Sequence, residues 1–224
     1  MSKTGDKHDE LENIEHALST SEAFIENNQK QILIVVAIIV LAVLAIIGVK
    51  NFYIVPLEVE AQTEMSMAQQ VFATDSFKIA LEGNGNDIIG FKEIASEYSI
   101  TSSGNLATAY AGICYYKLAD YENAIKFLSQ FDGNDVYFST AVLGLIGDSY
   151  IELGKTEEGI NYFEKAGDAK NNVLSPLYLK KAAIAYESIE KPEKAFDLYT
   201  SIKEDYPKST EAADIDKYIS RVQK

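Results

Sequence analysis

A four-residue pattern that returns three times at a fixed spacing constrains this chain more than any other feature. Gly112, Tyr115, Ala124 and Leu128 recur as Gly147, Tyr150, Gly159 and Phe163, and again as Ala183, Tyr186, Ala195 and Tyr199. The offsets within each copy are 0, +3, +12 and +16, and successive copies are displaced by 35 and 36 residues. A period of this length marks a stack of helix-turn-helix units, each burying one face against the next. The small first residue lets one helix approach its partner, and the tyrosine is expected to fill the wedge between them. The second small residue meets the first helix, and the following large side chain closes the layer. Leu118-Ala119-Asp120-Tyr121, Leu153-Gly154-Lys155-Thr156 and Ile189-Glu190-Lys191-Pro192 occupy the turn between the two helices of each copy.

A degenerate fourth copy precedes these three. Ile94-Ala95-Ser96-Glu97-Tyr98 matches Ile202-Lys203-Glu204-Asp205-Tyr206, and Phe91 stands where Leu128, Phe163 and Tyr199 stand. Its first helix falls before the Gly83-Asn84-Gly85-Asn86 loop, so the turn in this unit is irregular. The last face needs a lid, and residues 210–222 offer one, with Ala212, Ile215, Ile219 and Val222 on one stripe among charges. Nothing alternates with the period of a strand. The set of motifs, with Pro207 in the closing position, resembles the tetratricopeptide repeat. The fold class expected is all-α: one N-terminal transmembrane helix, then a tetratricopeptide repeat solenoid of about four helical hairpins with a C-terminal capping helix. The expected division is an acidic arm at 1–31, a membrane helix at 32–49 and a stalk at 50–64. A repeat domain follows at 65–224, with a degenerate repeat at 65–99, repeats at 105–131, 140–167 and 176–207, and the cap at 210–222.

The run from Ile32 to Val49 holds eighteen residues without a charge between Lys30 and Lys50. At about 1.5 Å per residue this spans roughly 27 Å, enough for a bilayer core. A cleaved signal peptide fits badly, because residues 1–31 carry three lysines against seven acids and no small-x-small site follows the run. The segment reads as an uncleaved anchor. Flanking lysines are balanced, so orientation rests on the short arm and the large following domain, which resemble a signal-anchored topology with the N-terminus cytoplasmic. In a Gram-negative cell that places the helix in the bacterial inner membrane and the repeats in the periplasm. The alternative, repeats in the cytosol, needs the 31-residue acidic arm to cross the membrane. Ser19 with Glu22 forms a capping box, so a helix is expected from there through the membrane run, after a short amphipathic stretch at 9–18 and an irregular 1–8. Pro56 is expected to break or kink the helix and to push Val55 out of helical geometry.

Net charge is −14, of which −4 lies in the arm and −10 beyond Val49. An acidic surface argues against nucleic acid or anionic lipid as partner. Cys114 lies inside a repeat with no histidine beyond His16 to activate it, and reads as a small core residue. His8 and His16 have no further ligands at metal spacing, and the glycine-rich loop has no following Gly-Lys-Ser/Thr. No catalytic residue, cofactor site, metal site or small-molecule substrate is expected. The chain reads as a non-enzymatic interaction module.

In tetratricopeptide arrays the first helices line a groove. The corresponding positions here are Leu106, Ala109, Ile113 and Tyr116, then Ala141, Gly144, Asp148 and Ile151, then Leu177, Lys180, Ile184 and Glu187. The lysine and asparagine of a carboxylate clamp are replaced by Ala109 and Ile113, so this mainly apolar surface suits a partner helix or extended apolar segment.

Anchor, stalk, four repeats and cap together resemble the YfgM-like ancillary subunits of the Sec translocon, in their Bacteroidota form. The residues that carry the likeness are Ser21-Glu22-Ala23-Phe24-Ile25-Glu26-Asn27-Asn28-Gln29-Lys30, Gly104-Asn105-Leu106-Ala107 and Pro176-Leu177-Tyr178-Leu179-Lys180-Lys181-Ala182. The resemblance implies Sec translocon subunits and a PpiD-like membrane-anchored periplasmic chaperone as partners, in service of emerging secreted proteins. Two other readings stay open: a scaffold subunit of another envelope assembly, and a transmembrane regulator holding a cytosolic factor through residues 1–31.

Overall fold

Each repeat closes its first helix with the same backbone device. The residue that leaves the helix takes a left-handed conformation: Ala119 at φ 60°, Gly154 at φ 72° and Glu190 at φ 58°. The next amide then reaches back to the carbonyl of the repeat tyrosine, Asp120 to Tyr115, Lys155 to Tyr150 and Lys191 to Tyr186, at 2.9, 2.9 and 3.0 Å. The left-handed residue itself donates to Tyr116, Ile151 or Glu187, which completes a Schellman motif in all three copies. Only the middle copy uses glycine there. An L side chain in that region costs about 1–2 kcal/mol, so Glu190→Gly is expected to raise stability by about 0.5–1 kcal/mol once the entropy of glycine is subtracted. Chemical denaturation of the two proteins checks it.

These turns belong to a computed structural model that describes the backbone of residues 5–223 and the side chains of residues 27–223. Among the described residues the chain is helical with no strand. Two units divide at Met1–Pro56 and Leu57–Lys224.

In the first unit α1 runs Gly5–Val49. It begins well before Ser19, because residues 9–18 hold no glycine or proline and include six good helix formers, three glutamates, two leucines and an alanine. The Ser19–Glu22 capping box and both histidines lie outside the described side chains. Residues such as Leu33, Ile38, Leu41, Leu44 and Ile46 are exposed. The segment is long and apolar enough to cross a membrane, with a mean hydropathy of 3.6 over its best window and none of that window buried. The expected break at Pro56 does not occur. The ring of Pro56 has no N–H for the carbonyl of Phe52, and the backbone widens into a π-helical stretch at Lys50–Ile54 instead. Val55 keeps φ −63° and ψ −46° and donates to the Lys50 carbonyl. The helix continues beyond this stretch as α2 at Val55–Phe72.

In the second unit α2 is packed from its start. Ala61 and Ala68 are fully buried and Met65 nearly so, against Phe91, Ile94, Ala107 and Ala111, with Leu57 at the margin. Packing thus reaches back before Met65, and residues 57–64 are not a free stalk. Glu58 accepts from the amides of Ser102 and Ser103 at 2.7 and 3.3 Å and from the Ser103 hydroxyl at 2.6 Å. It satisfies the first amides of the neighbouring helix α5 (Ser102–Lys117). Between them lie α3 (Phe77–Glu82) and α4 (Phe91–Glu97). The loop joining those two is held by Asn84, whose side-chain oxygen accepts three amides at 3.0 Å, from Asn86, Asp87 and Ile88.

The three regular hairpins are α5 with α6 (Tyr121–Leu128), α7 (Phe138–Glu152) with α8 (Thr156–Gly167), and α9 (Leu174–Ser188) with α10 (Pro192–Asp205). The small and large repeat positions form the core. Ala124, Ala183, Ala195 and Tyr199 are fully buried, and Leu128 and Phe163 are 1 and 2 % exposed. A Cβ added to Gly112 would lie 2.6 Å from Leu128, and one added to Gly147 would lie 2.6 Å from the ring of Phe163. The repeat tyrosines behave differently from expectation. Tyr115, Tyr150 and Tyr186 are half-buried. Tyr115 packs against Phe127 and Tyr150 stacks on Tyr162, each on the second helix of its own hairpin, whereas the Tyr186 hydroxyl donates to Glu164 of the preceding hairpin at 3.0 Å. The lid is a 3-10 turn, Glu211–Asp214, leading into α11, Ile215–Val222. Ile215 is buried on Tyr199 and Ile202, flanked by Ala212, Tyr218, Ile219 and Val222.

Candidate functional site

The first-helix positions of the three hairpins meet different fates. Ala109 is fully buried with Ala124, Leu128, Val142 and Ile146 and presents no surface. Gly144 is also covered, since a Cβ there would fall 1.9 Å from the ring of Tyr178. Small residues at this register let the next first helix close over them. Leu106, Ile113 and Tyr116 are half-buried and pack on their neighbours, Tyr116 edge-on to Tyr121 at 5.6 Å. Ala141 is half-buried at the start of α7. The face between α5 and α7 is therefore largely filled.

It opens at α7 and α9. A cavity of about 320 Å³ is lined by Ile151, Phe163, Ile184 and Ala185, with Thr156 and Ser188 at one end and Asp148 and Lys181 at the other. Lys181 and Asp148 pair across the two helices at 2.7 Å. The lysine nitrogen also stands 5.5 and 5.7 Å from the rings of Phe163 and Tyr178, so the pair roofs an apolar floor. A second hollow of about 270 Å³ lies between α9 and the lid, lined by Leu177, Lys180, Lys181, Ile184, Thr210 and Glu211. Ile184 and Lys181 line both hollows, and Ile184 is 45 % exposed. The structure thus brings together Asp148, Ile151, Leu177, Lys180 and Ile184 from the sequence-derived set. Lys181, Phe163 and Ser188 were missed. The stripe Leu177, Lys181, Ile184, Ser188 at i, i+4, i+7, i+11 is the signal that would have found the α9 members.

Two groove positions are engaged by the lid. The Lys180 ammonium donates to Asp214 at 2.8 Å and sits 4.3 Å over the ring of Tyr218. Glu187 accepts from Arg221 at 2.6 and 2.8 Å and from the Tyr199 hydroxyl at 2.5 Å. Burial pushes the Glu187 carboxyl up, but the bonds from Arg221 and Tyr199 outweigh it and hold the group below its ordinary range. Burial and the Glu187 carboxylate push the Tyr199 phenol upward. A carboxylate whose folded pKa is depressed contributes stability above its unfolded value of about 4.3 and loses it as pH falls through the folded pKa. The melting temperature is therefore expected to fall below about pH 4, and to fall less steeply in Glu187→Gln. Melting curves from pH 7 to pH 3 measure both. Cys114 is buried, and burial alone pushes its thiol up to about 12, which suits a packing residue. Among the described residues no group of three metal-ligating side chains comes together.

Sequence profiles described as tetratricopeptide repeat match residues 140–172, and residues 110–132 and 178–209. No curated protein matches the chain. Among solved structures, the crystal structure of MamA protein superposes with a TM-score of 0.54 at 14% identity, over 72% of this chain and 89% of that one. The crystal structure of a Podosopora anserina putative kinesin light chain with nearly identical TPR-like repeats superposes with a TM-score of 0.55 at 12% identity. That match spans 73% of this chain and 85% of the other. At such identities the likeness concerns the fold. Repeat profiles, recurrent turns and these superpositions agree: the chain carries tetratricopeptide repeats stacked in a solenoid, an architecture typical of protein–protein interaction modules.

Proposed function

We propose that this protein is a membrane-anchored interaction module that holds a protein partner against the α7–α9 face. The observation that carries the reading is Ile184, a large aliphatic residue standing exposed between two hollows while its neighbours Ile151 and Phe163 supply an apolar floor. An inserted side chain or the apolar stripe of a helix suits such a surface, with the Asp148–Lys181 pair available for polar contacts at its edge. The apolar helix supplies the anchor, with the arm cytoplasmic and the repeats on the far side of a bacterial inner membrane. The resemblance to YfgM-like subunits supports a partner beside the Sec translocon, a membrane-anchored chaperone that meets emerging secreted proteins.

Burying an aliphatic side chain contributes roughly 1.5–3 kcal/mol. Ile184→Asp is therefore expected to weaken the complex roughly tenfold or more, with the helical content and membrane association unchanged. Gentle-detergent co-purification from wild-type and variant cells tests it, and a translocon-side chaperone among the proteins lost would support the finer reading. Equal recovery of every co-purifying protein would exclude the face. Protease added to spheroplasts should digest the repeats and spare the arm.

A further inference from the structure

The cations on the α7–α9 face and its lid all sit in the same kind of place. Lys181 bonds Asp148 and stands near the rings of Phe163 and Tyr178, and Lys180 bonds Asp214 over the ring of Tyr218. Arg221 bonds Glu187 and lies 4.7 Å from the Tyr218 ring. Each cation is held by a carboxylate and an aromatic ring together, which stabilise it through the anionic charge and the ring quadrupole.

The same combination occurs a fourth time with no cation in it. Glu152 lies one turn beyond Asp148 on α7 and is exposed. Its neighbour from α5 is Tyr116, whose ring is edge-on to that of Tyr121. Burial pushes the Tyr116 phenol up, and the Asp148 and Glu152 carboxylates push it further. Among the described residues no ion pair reaches Glu152, and no lysine or arginine stands over Tyr116 or Tyr121. Glu211, at the rim of the second hollow, is likewise in no ion pair. Lys180, Lys181 and Arg221 are already taken, so the open part of the groove carries negative charge in excess.

This corner and the apolar hollow lie on opposite sides of α7, the corner toward α5 and the hollow toward α9. Packed helices stand about 8–10 Å apart. Residues seven apart on a helix share one face at a separation of about 10.5 Å. One helix laid across the groove can therefore reach both places at once.

We propose that the segment docking on this face is a cationic amphipathic helix of the partner protein. A large aliphatic side chain enters the hollow beside Ile184, and an arginine or lysine two turns away sits between Glu152 and the rings of Tyr116 and Tyr121. An anionic segment would meet Glu152 and Glu211 with no cation of this chain free to receive it. The proposal rests on the α7–α9 face as the docking surface and adds the charge of what docks there.

Full-length protein in a non-ionic detergent is titrated, by fluorescence anisotropy, with three labelled alanine-rich helical peptides. They differ only at the position two turns from a central leucine, which is arginine, glutamine or glutamate. The arginine peptide should bind roughly tenfold tighter than the glutamate peptide, with glutamine between them. Glu152→Gln should remove most of that difference and Glu152→Lys should reverse the order, with the circular dichroism of the protein unchanged. Ile184→Asp should weaken all three peptides, and so reads the face itself. Equal affinities that fall together in Ile184→Asp would overturn the cationic occupant and leave the docking face standing. A preference for glutamate would assign the face to an anionic segment, and an order that survives Glu152→Lys would overturn the role of this corner. No binding, or binding untouched by Ile184→Asp, removes the face and the proposal together. A dimer that Ile184→Asp converts to monomer would assign the face to a second copy of this chain instead.

Discussion

Tyr199→Ala is expected to cost the folded state about 3–5 kcal/mol, the usual range for removing a buried aromatic ring. Tyr199 is fully buried and ties three elements together. Its ring lies 5.3 Å from that of Tyr218 in the lid, it packs with Ala183 and Ile202, and its hydroxyl donates to Glu187. Deleting it opens a cavity under α11 and takes one donor from the carboxylate that holds Arg221. Tyr199→Phe removes only the hydroxyl and should cost about 1 kcal/mol. Urea unfolding of the Leu57–Lys224 unit distinguishes the pair. If the two variants were equally stable, the ring would not be the keystone of the lid.

Gly147→Leu is expected to destabilise by about 3 kcal/mol or more, at the upper end of overpacking costs. The first carbon alone would sit 2.6 Å from Phe163, and behind it stands the Gly159 carbonyl at 3.1 Å. Any shift of Phe163 to make room disturbs its stacking on Tyr178 at 6.2 Å and pushes the ring toward the hollow it lines. Glu152→Leu, on the exposed side of the same helix, should shift stability by less than about 0.5 kcal/mol. Tyr150→Ala is expected to cost less than loss of a core aromatic, because Tyr150 is only half-buried beside Tyr162.

The hairpins were legible in the sequence because their determinants are local. A small residue facing a large one sixteen positions later, and the short turn between them, are both encoded within one repeat, although Ala119 and Glu190 give no sign of the left-handed conformation they adopt there. What depends on the neighbouring repeat was not legible. Whether Ala109 or Gly144 stays at the surface is decided by α7 and by Tyr178, which cover them. Lys180 and Glu187 look like groove residues until α11 supplies Asp214, Tyr218 and Arg221 as their partners. Pro56 suggested a break because proline rules describe an α-helix, and the π register at Lys50–Ile54 is the alternative they leave open. Residues 57–64 looked like a stalk because Ala61 and Glu58 acquire their roles only against α4 and α5.

The central claim is that the α7–α9 face holds a partner while the chain sits in the membrane. Photocrosslinking in intact membranes addresses it most directly, with a photoreactive residue at Ile184 in one protein and at Asn161, exposed on α8, in another. A discrete crosslinked protein is predicted from Ile184 and not from Asn161, and it should disappear when Phe163-facing Ile151 is changed to the bulkier Phe and the hollow is filled. Crosslinks of the same pattern from both positions, or none from Ile184 in membranes where the full-length protein is intact, would contradict the account.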